Sequence, residues 1–114
     1  MFLNHSNKEL VDKFVEINRK PALTNKFILV IEAVKTNNFN RSQYNWEKDL
    51  DIGSIYAIKI DTHRLYTLQI NTKDFRELYI CRYGKKESQE NTKKLINTIS
   101  SIKSIQIKKL LCDE

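Results

Sequence analysis

The clearest pattern of apolar and polar positions in the chain lies between residues 55 and 86. This segment reads IYAIKIDTHRLYTLQINTKDFRELYICRYGKK, in which three runs rich in β-branched and aromatic residues are separated by two polar breaks. The breaks are Asp61–Thr62 and Asn71–Asp74. Runs of this kind bounded by polar residues predict three antiparallel strands that form a meander.

The lengths of the two turns decide the register of this meander. Two-residue turns at Asp61–Thr62 and Thr72–Lys73 would place Lys59 opposite Arg64, Arg64 opposite Cys81, and Asn71 opposite Asp74. Because side chains alternate along a strand, one face would then be aliphatic and suited to lie under helices. Its members would be Ile58, Ile60, Leu65, Thr67, Leu78 and Ile80. The other face would carry Ile55, Ala57, Lys59, Arg64, Tyr66, Leu68, Phe75, Glu77, Tyr79, Cys81 and Tyr83.

Two segments before the meander have apolar residues at helical spacing. Ser6 and Glu9 match a capping box, and the first helix should end near Lys20 because Pro21 disfavours helical geometry in the residue before it. Thr24 is predicted to cap a second helix. The apolar stripes of the two helices would be Leu10, Phe14 and Ile17, and then Phe27, Val30, Ile31 and Val34.

The remaining segments complete a single domain over residues 1–114. Residues 38–53 are expected to form a polar connection that Phe39, Tyr44 and Trp46 pin to the core, with Gly53 in a turn or bulge. Leu95, Ile99 and Ile102 indicate a C-terminal helix after Gly84. The predicted fold class is therefore α+β, with two N-terminal helices, an antiparallel β-meander and a C-terminal helix.

Composition narrows the class of protein further. The net charge is +6, from 20 Lys and Arg against 14 Asp and Glu, and most of the basic excess falls in residues 55–114. Such one-sided charge is typical of a polyanion-binding protein, although a solvated lysine-rich face would have the same composition. No apolar run could span a membrane, and the N-terminus does not resemble a signal peptide, so we expect a cytoplasmic protein. The two cysteines form neither a metal-ligand pattern nor a disulfide framework, and no cofactor is expected.

The predicted register gathers cations at one end of the sheet. These residues are Lys59, Arg64, Arg82, Lys85 and Lys86, with His63 and Tyr83 beside them. Adjacent like charges cost stability, so a bound anion would explain the cluster. Arginine and lysine bind phosphate, and Tyr66, Tyr79 and Tyr83 could stack on unpaired RNA bases. The alternative for the tyrosines is a cross-strand pair that only covers the sheet.

Three segments within the meander resemble the RelE/HigB/ParE superfamily of bacterial toxins: Tyr56–Ile60 (YAIKI), His63–Tyr66 (HRLY) and Tyr79–Lys86 (YICRYGKK). The resemblance implies a microbial RNase-like α+β fold and, in RelE-like members, metal-independent cleavage of mRNA on the ribosome. It places the family's strand lysine on Lys59, the following arginine on Arg64, and the basic residue after the glycine on Lys86. HigB-like members carry a Lys-Lys pair here, which matches Lys85–Lys86.

Two features depart from the family pattern. RelE has a tyrosine after that glycine, and the same distance in this chain reaches Thr92, so Tyr83 would have to substitute for it. The strand that usually precedes the first helix should be short or missing.

The reaction implied by the resemblance is attack of an RNA 2′-hydroxyl on the adjacent phosphate, which the cations would stabilise. No Asp or Glu is expected in the cluster, so the general base would be Lys59, with its pKa lowered by Arg64, or His63. Arg82, Tyr83, Lys85, Tyr66 and Tyr79 would bind the RNA.

Other functions and a protein partner also follow from the same residues. A ParE-like inhibitor of DNA gyrase and a non-enzymatic module that binds RNA or protein are the alternative functions. The resemblance implies a cognate antitoxin as protein partner, and the apolar residues between Ile105 and Leu111 are one candidate docking segment.

Overall fold

The structure is a computed structural model, which describes residues 1–86 and Thr98. Two helices precede four long strands, and a short strand lies at the N-terminus, so the α+β class is confirmed. Apart from Thr98, the residues of the predicted C-terminal helix lie outside the described residues, as does the segment Ile105–Leu111. The elements are β1 (Phe2–Leu3), α1 (Lys8–Asn18), α2 (Pro21–Lys35), β2 (Tyr44–Leu50), β3 (Gly53–Ile60), β4 (His63–Asn71) and β5 (Arg76–Lys85).

The strands form one mixed sheet in the order β1-β5-β4-β3-β2. The predicted meander corresponds to β3, β4 and β5, which pair antiparallel. The prediction of a short first strand is also right, because β1 contributes only two parallel pairs to β5. The connection predicted for residues 38–53 is wrong, since it contains β2. The run Glu47-Lys48-Asp49 conceals this edge strand, because a bulge after Trp46 interrupts its alternation.

The turn between β3 and β4 has the predicted two residues. Asp61 adopts φ 55°, which asparagine and aspartate tolerate better than other residues with a side chain. Lys59 consequently pairs with Arg64, as predicted. The two side chains therefore project from the same face of the sheet.

The turn between β4 and β5 differs from the prediction. Asn71 pairs with Arg76 rather than Asp74, because residues 72–75 form a four-residue turn. The backbone N–H of Thr72 donates to the Phe75 carbonyl at 2.9 Å, and the Phe75 N–H donates to the Thr72 hydroxyl at 3.1 Å. This self-bonded turn moves β5 by two residues relative to the predicted register, a shift that leaves its side chains on the same faces.

A bulge in β5 then reverses the sheet face from which each later side chain of this strand projects. Thr67 pairs with Ile80 but Tyr66 pairs with Arg82, so Cys81 is an extra residue in the strand. From this point the alternation is inverted: Arg64 lies opposite Gly84 instead of Cys81, and Tyr83 points toward the helices. The predicted position of Tyr83 on the opposite face is wrong for this reason.

The residues that cap the two helices differ from those predicted. Asn7, one residue after the predicted cap, accepts the Leu10 N–H at 2.9 Å, whereas the Ser6 hydroxyl donates to Asn4 at 2.6 Å. Helix α1 ends at Asn18 with Arg19 as its C-cap, close to the predicted end near Lys20. Helix α2 begins at Pro21 and therefore needs no cap from Thr24, because proline suits the first helical position.

The sheet separates two buried clusters. The helix-facing cluster confirms the predicted aliphatic face and stripes, and the opposite cluster contains Ile55, Ala57, Tyr66, Leu68 and Cys81. Tyr44 stacks on Tyr56 and contacts Phe39 edge-on, so two of the three predicted aromatics pack on the core, whereas Trp46 is 52% exposed. In the described part of the chain, no helix is long and apolar enough to cross a membrane. The helix-facing cluster comprises Leu10, Ile17, Phe27, Val30, Val34, Tyr44, Ile58, Ile60, Leu65, Leu78, Ile80 and Tyr83.

Candidate functional site

The cations of the meander are brought together on the sheet face opposite the helices, at the end where β3 turns into β4. Lys59 and Arg64 pair directly across this turn, and both side chains are half-buried. Directly opposed residues on neighbouring strands have Cβ atoms about 5 Å apart. Two positive charges are therefore held side by side by backbone hydrogen bonding rather than by any favourable contact between them.

Backbone contacts orient the arginine and the segment after β5. The Nη1 atom of Arg64 donates to the carbonyl oxygens of Asp61 at 2.8 Å and of His63 at 3.0 Å, which holds the guanidinium beside the turn. The backbone N–H of Lys86 donates to the Thr62 carbonyl at 2.8 Å. The chain after β5 is thus attached to the same turn, and Lys86 is brought to the cation cluster.

The pKa of Lys59 shows which charged groups act on its ammonium. Partial burial lowers the pKa of its ammonium, and the nearby charges of Arg64 and Lys86 lower it further, whereas the Glu47 carboxylate raises it. Each of these three groups is therefore an electrostatic neighbour of Lys59. A lysine with a depressed pKa releases and takes up a proton more readily near neutral pH than an ordinary lysine.

Glu47 is the site residue that the sequence analysis missed. It occupies the bulge of β2, and the Nδ2 atom of Asn45 donates to its Oε1 at 3.3 Å. Besides Lys59, it acts on Tyr66, whose pKa rises to about 12, mainly through burial and then through this carboxylate, while Arg64 opposes the rise. The expectation that no carboxylate joins the cluster is therefore wrong. The sequence pattern does not indicate Glu47, because the bulge interrupts the alternation that would identify β2 as a strand.

Tyr66 and Arg82 lie next to the cations. Arg82 pairs with Tyr66 because of the β5 bulge, so it projects on the cation face rather than at the margin of the aliphatic face. Its Nη1 atom donates to the Cys81 carbonyl at 2.8 Å. Tyr66 is only 2% exposed, so its ring has no face open to an RNA base. Arg82 is half-buried and remains a candidate for phosphate contact.

Three other predicted site residues lie on the helix side of the sheet. His63 pairs with Lys85, and its Nδ1 lies 2.7 Å from the Tyr83 hydroxyl. The Nζ atom of Lys13 in α1 lies 5.7 Å from the centroid of the Tyr83 ring. Burial, followed by the charge of Lys85, lowers the pKa of His63. These residues form a separate group, and His63 is not placed to act as a base beside Lys59.

Tyr79 lies away from both groups. Its ring stacks on Phe2 with centroids 4.8 Å apart, and its hydroxyl donates to Glu77 at 2.6 Å. It pairs with Leu68, four residues along β4 from Arg64, which corresponds to about 13 Å of strand. One face of the Tyr79 ring is therefore occupied by a neighbour in the same sheet, and the ring lies apart from the cations.

The structure thus divides seven of the nine predicted site residues into two groups. Lys59, Arg64, Arg82 and Lys86 form the cation face, which Glu47 joins, whereas His63, Tyr83 and Lys85 lie across the sheet. Cations of this kind can bind a phosphate diester, and a lysine and a carboxylate near it can exchange protons with the hydroxyl groups that react at the phosphorus. In residues 1–86 and Thr98, no three His, Cys, Asp or Glu side chains converge as a group that could hold a metal ion.

Comparisons with known proteins found no relative of this chain. No family model matches the chain, and no significant match was found among curated proteins or solved structures.

Proposed function

We propose that this chain is the toxin of a type II toxin–antitoxin module, with a RelE-like fold, and that it cleaves mRNA on the ribosome without a metal. The observation that carries the proposal is the placement of Lys59, Arg64 and Lys86 together on one sheet face with Glu47. The first three are the positions at which the chain resembles the catalytic residues of the superfamily. The sequence resemblance and the strand pairing are separate observations, and both support the same site.

Phosphate binding is the first role of this face. Arg64 would bind two phosphate oxygens through its planar guanidinium, which its contacts with the β3–β4 turn already orient. Lys86 would add a point charge from the segment after β5. As the transition state gains negative charge on the phosphate, both cations stabilise it more strongly than the ground state.

Proton transfer is the second role, and Glu47 and Lys59 are the groups placed for it. The Glu47 carboxylate would accept the proton of the RNA 2′-hydroxyl as its oxygen forms a bond to phosphorus. The bond between phosphorus and the 5′-oxygen would then break, and the Lys59 ammonium would donate a proton to that leaving oxygen. The products are a 2′,3′-cyclic phosphate and a 5′-hydroxyl, and the proton on Glu47 then passes through water to Lys59, which restores the carboxylate and the ammonium. The lowered pKa of Lys59 makes it a better acid for this step.

The experiment that tests the proposal is induced expression in a bacterial host with mapping of transcript ends. The wild-type chain should arrest translation and produce new mRNA ends within translated regions. Arg64→Ala should abolish both effects, because it removes the principal phosphate ligand. Arg41→Ala is the matched control, since Arg41 is an exposed arginine outside the site and its loss changes the net charge equally.

Three outcomes would contradict the proposal. Cleavage at wild-type level by Arg64→Ala would remove the assigned site. DNA-damage signalling with intact transcripts would indicate a ParE-like gyrase inhibitor, in which the cations have no catalytic role. Absence of toxicity, combined with binding of RNA that stays intact on purified ribosomes, would indicate a non-enzymatic binding module.

Neutralisation by a cognate antitoxin is part of the same proposal. The test is co-expression with the protein encoded beside this chain. Restored growth and a stable complex would support it. Growth arrest that this neighbour does not relieve would count against it.

A further inference from the structure

A cavity lies at the opposite end of the sheet from the cation face. It has a volume of about 520 Å³ and opens between the C-terminal end of α2 and the turn that connects β4 to β5. Its apolar wall includes Ile31, Val34 and Leu78. From Arg64 to Asn71, which lines the cavity, β4 runs seven residues, or about 23 Å. A ligand in this cavity would therefore leave the cation face open.

Positive charge predominates around the cavity. Among the residues that the structure describes, Lys35, Lys73 and Arg76 line it, against one carboxylate, Asp74. Arg76 is held in place because its Nη1 donates to the carbonyl of Val34, near the end of α2. Lys35 lies 3.6 Å from Glu32, but both side chains are more than half exposed, so this ion pair is weak and can be exchanged for another. The rim therefore favours a ligand with carboxylate groups.

The apolar surface continues outside the cavity. Phe75 is 60% exposed and Met1 is 56% exposed, and both contribute to the lining. Ile28, which is 50% exposed, lies one helical turn before Ile31 on the same side of α2. Large exposed apolar side chains beside a cavity indicate a binding surface longer than a small molecule would cover.

Among the described residues, part of the same sheet edge has no neighbouring strand. Strand β1 pairs with β5 only at Tyr79 and Ile80. Within residues 1–86, the preceding part of β5, Arg76–Leu78, has no strand beside it on that edge. An extended peptide could hydrogen-bond to such an edge while its side chains enter the cavity.

We propose that this cavity binds an extended segment of a protein partner in which acidic and apolar residues are interspersed. The apolar side chains fill the space against Ile31 and Leu78, and the carboxylates contact Lys35, Lys73 and Arg76. Ile31, Val34 and Leu78 form an aliphatic wall, which suits the apolar side chains of a peptide better than unpaired RNA bases, because such bases stack on aromatic rings and Phe75 at the rim offers one ring only at the edge of this wall. This inference does not depend on the RNA function proposed above, because the two surfaces are separated by the length of β4.

The test uses the full chain and a fluorescein-labelled peptide of twelve alternating leucine and glutamate residues. Fluorescence anisotropy measures its affinity for the wild type, for Lys35→Glu/Lys73→Glu and for a control, Lys8→Glu/Arg41→Glu. The control changes the net charge equally at exposed positions outside the cavity. We expect the first variant to bind about tenfold more weakly or worse, as reversal of two contacts implies, and the control to stay within about twofold of wild type. Amide NMR shifts on titration should centre on Phe75 and Arg76.

Several results would overturn the proposal. The two double variants could bind the peptide with equal affinity, or the leucine–glutamate peptide could fail to bind at millimolar concentration. A leucine–lysine peptide that binds equally strongly would also contradict it. Shifts at Phe75 and Arg76 on titration with a single-stranded RNA would assign this surface to nucleic acid instead. Cleavage assays separate this inference from the proposed function, because Lys35→Glu/Lys73→Glu should still cleave mRNA and Arg64→Ala should still bind the peptide.

Discussion

Replacing Lys59 with methionine should stabilise the fold while abolishing activity. The Lys59 ammonium lies opposite Arg64 and interacts unfavourably with it and with Lys86, and partial burial disfavours its charge further. The Glu47 carboxylate opposes these effects, because it favours the charged form of Lys59. Methionine has a similar length and no charge, so Lys59→Met removes three unfavourable contributions and one favourable contribution.

The size of the gain follows from the geometry of the pair. Like charges directly opposite each other on neighbouring strands cost about 0.2–1 kcal/mol. With Lys86 adding to Arg64 and Glu47 subtracting, we expect Lys59→Met to raise the free energy of unfolding by about 0.5–1 kcal/mol. For a chain of 114 residues this corresponds to a Tm about 2–5 °C higher. If Lys59 protonates the leaving oxygen, cleavage should fall about 10²–10⁴-fold.

Because Lys59→Met is expected to stabilise the fold by removing an unfavourable charge, the gain should depend on pH and on salt. Because the pKa of Lys59 is lowered in the folded state, its charge opposes folding at pH 7, and this penalty fades as the pH rises through the folded-state pKa. The advantage of Lys59→Met should therefore shrink at alkaline pH. It should also shrink in 0.5 M salt, where the screening length is about 4 Å.

Thermal unfolding followed by circular dichroism at pH 7 measures this gain in 50 mM and 500 mM salt. Lys73→Met is the control, because Lys73 is an exposed lysine in the β4–β5 turn, and its Tm should change little. A lower Tm for Lys59→Met would refute the reasoning. A gain that does not respond to salt would show that burial of the methionine, and not relief of repulsion, is responsible.

Three further predictions follow from the structure. Lys86→Ala should reduce mRNA cleavage about 10²-fold or more, whereas Lys85→Ala on the helix side should stay near wild type; equal losses in a ribosome cleavage assay would contradict the division of the two faces. Gly53→Ala should destabilise the fold by about 1–3 kcal/mol in urea unfolding, because its Cβ would lie 2.4 Å from the Gln69 carbonyl oxygen; unchanged stability would contradict the register of β3 and β4. His63 has a lowered pKa, so stability should fall as the pH drops below 6.5 toward its folded-state pKa, and His63→Asn should show a smaller fall in Tm between pH 7 and pH 5; identical pH profiles would remove His63 as the cause.

Local chemistry accounts for the parts of the fold and the site that could be predicted. The pairing of Lys59 with Arg64 follows from a two-residue turn and from strict alternation along β3 and β4, both of which are readable from adjacent residues. The helix stripes are equally local, because 3.6-residue periodicity places Phe27, Val30 and Val34 on one side of α2.

Which residues belong to the site depends on two β-bulges, and neighbouring residues in the sequence do not reveal where these bulges occur. The extra residue Cys81 in β5 sends Tyr83 to the helices and Arg82 to the cation face. The bulge of β2 brings Glu47 within electrostatic reach of Lys59. Both bulges arise from how one strand fits its neighbour, so they cannot be deduced from the periodicity of either strand alone.

The amino-acid sequence by itself therefore determined the α+β class, the meander and the paired cations Lys59 and Arg64, because each depends on residues close together in the chain. The tertiary structure decided which other groups share their face, because that depends on long-range register. It added Lys86 through a backbone hydrogen bond to Thr62, brought in Glu47, and separated His63 on the helix side. Alternation along a strand gives the side of each residue only until the first bulge, and beyond the bulge the packing of the whole sheet decides.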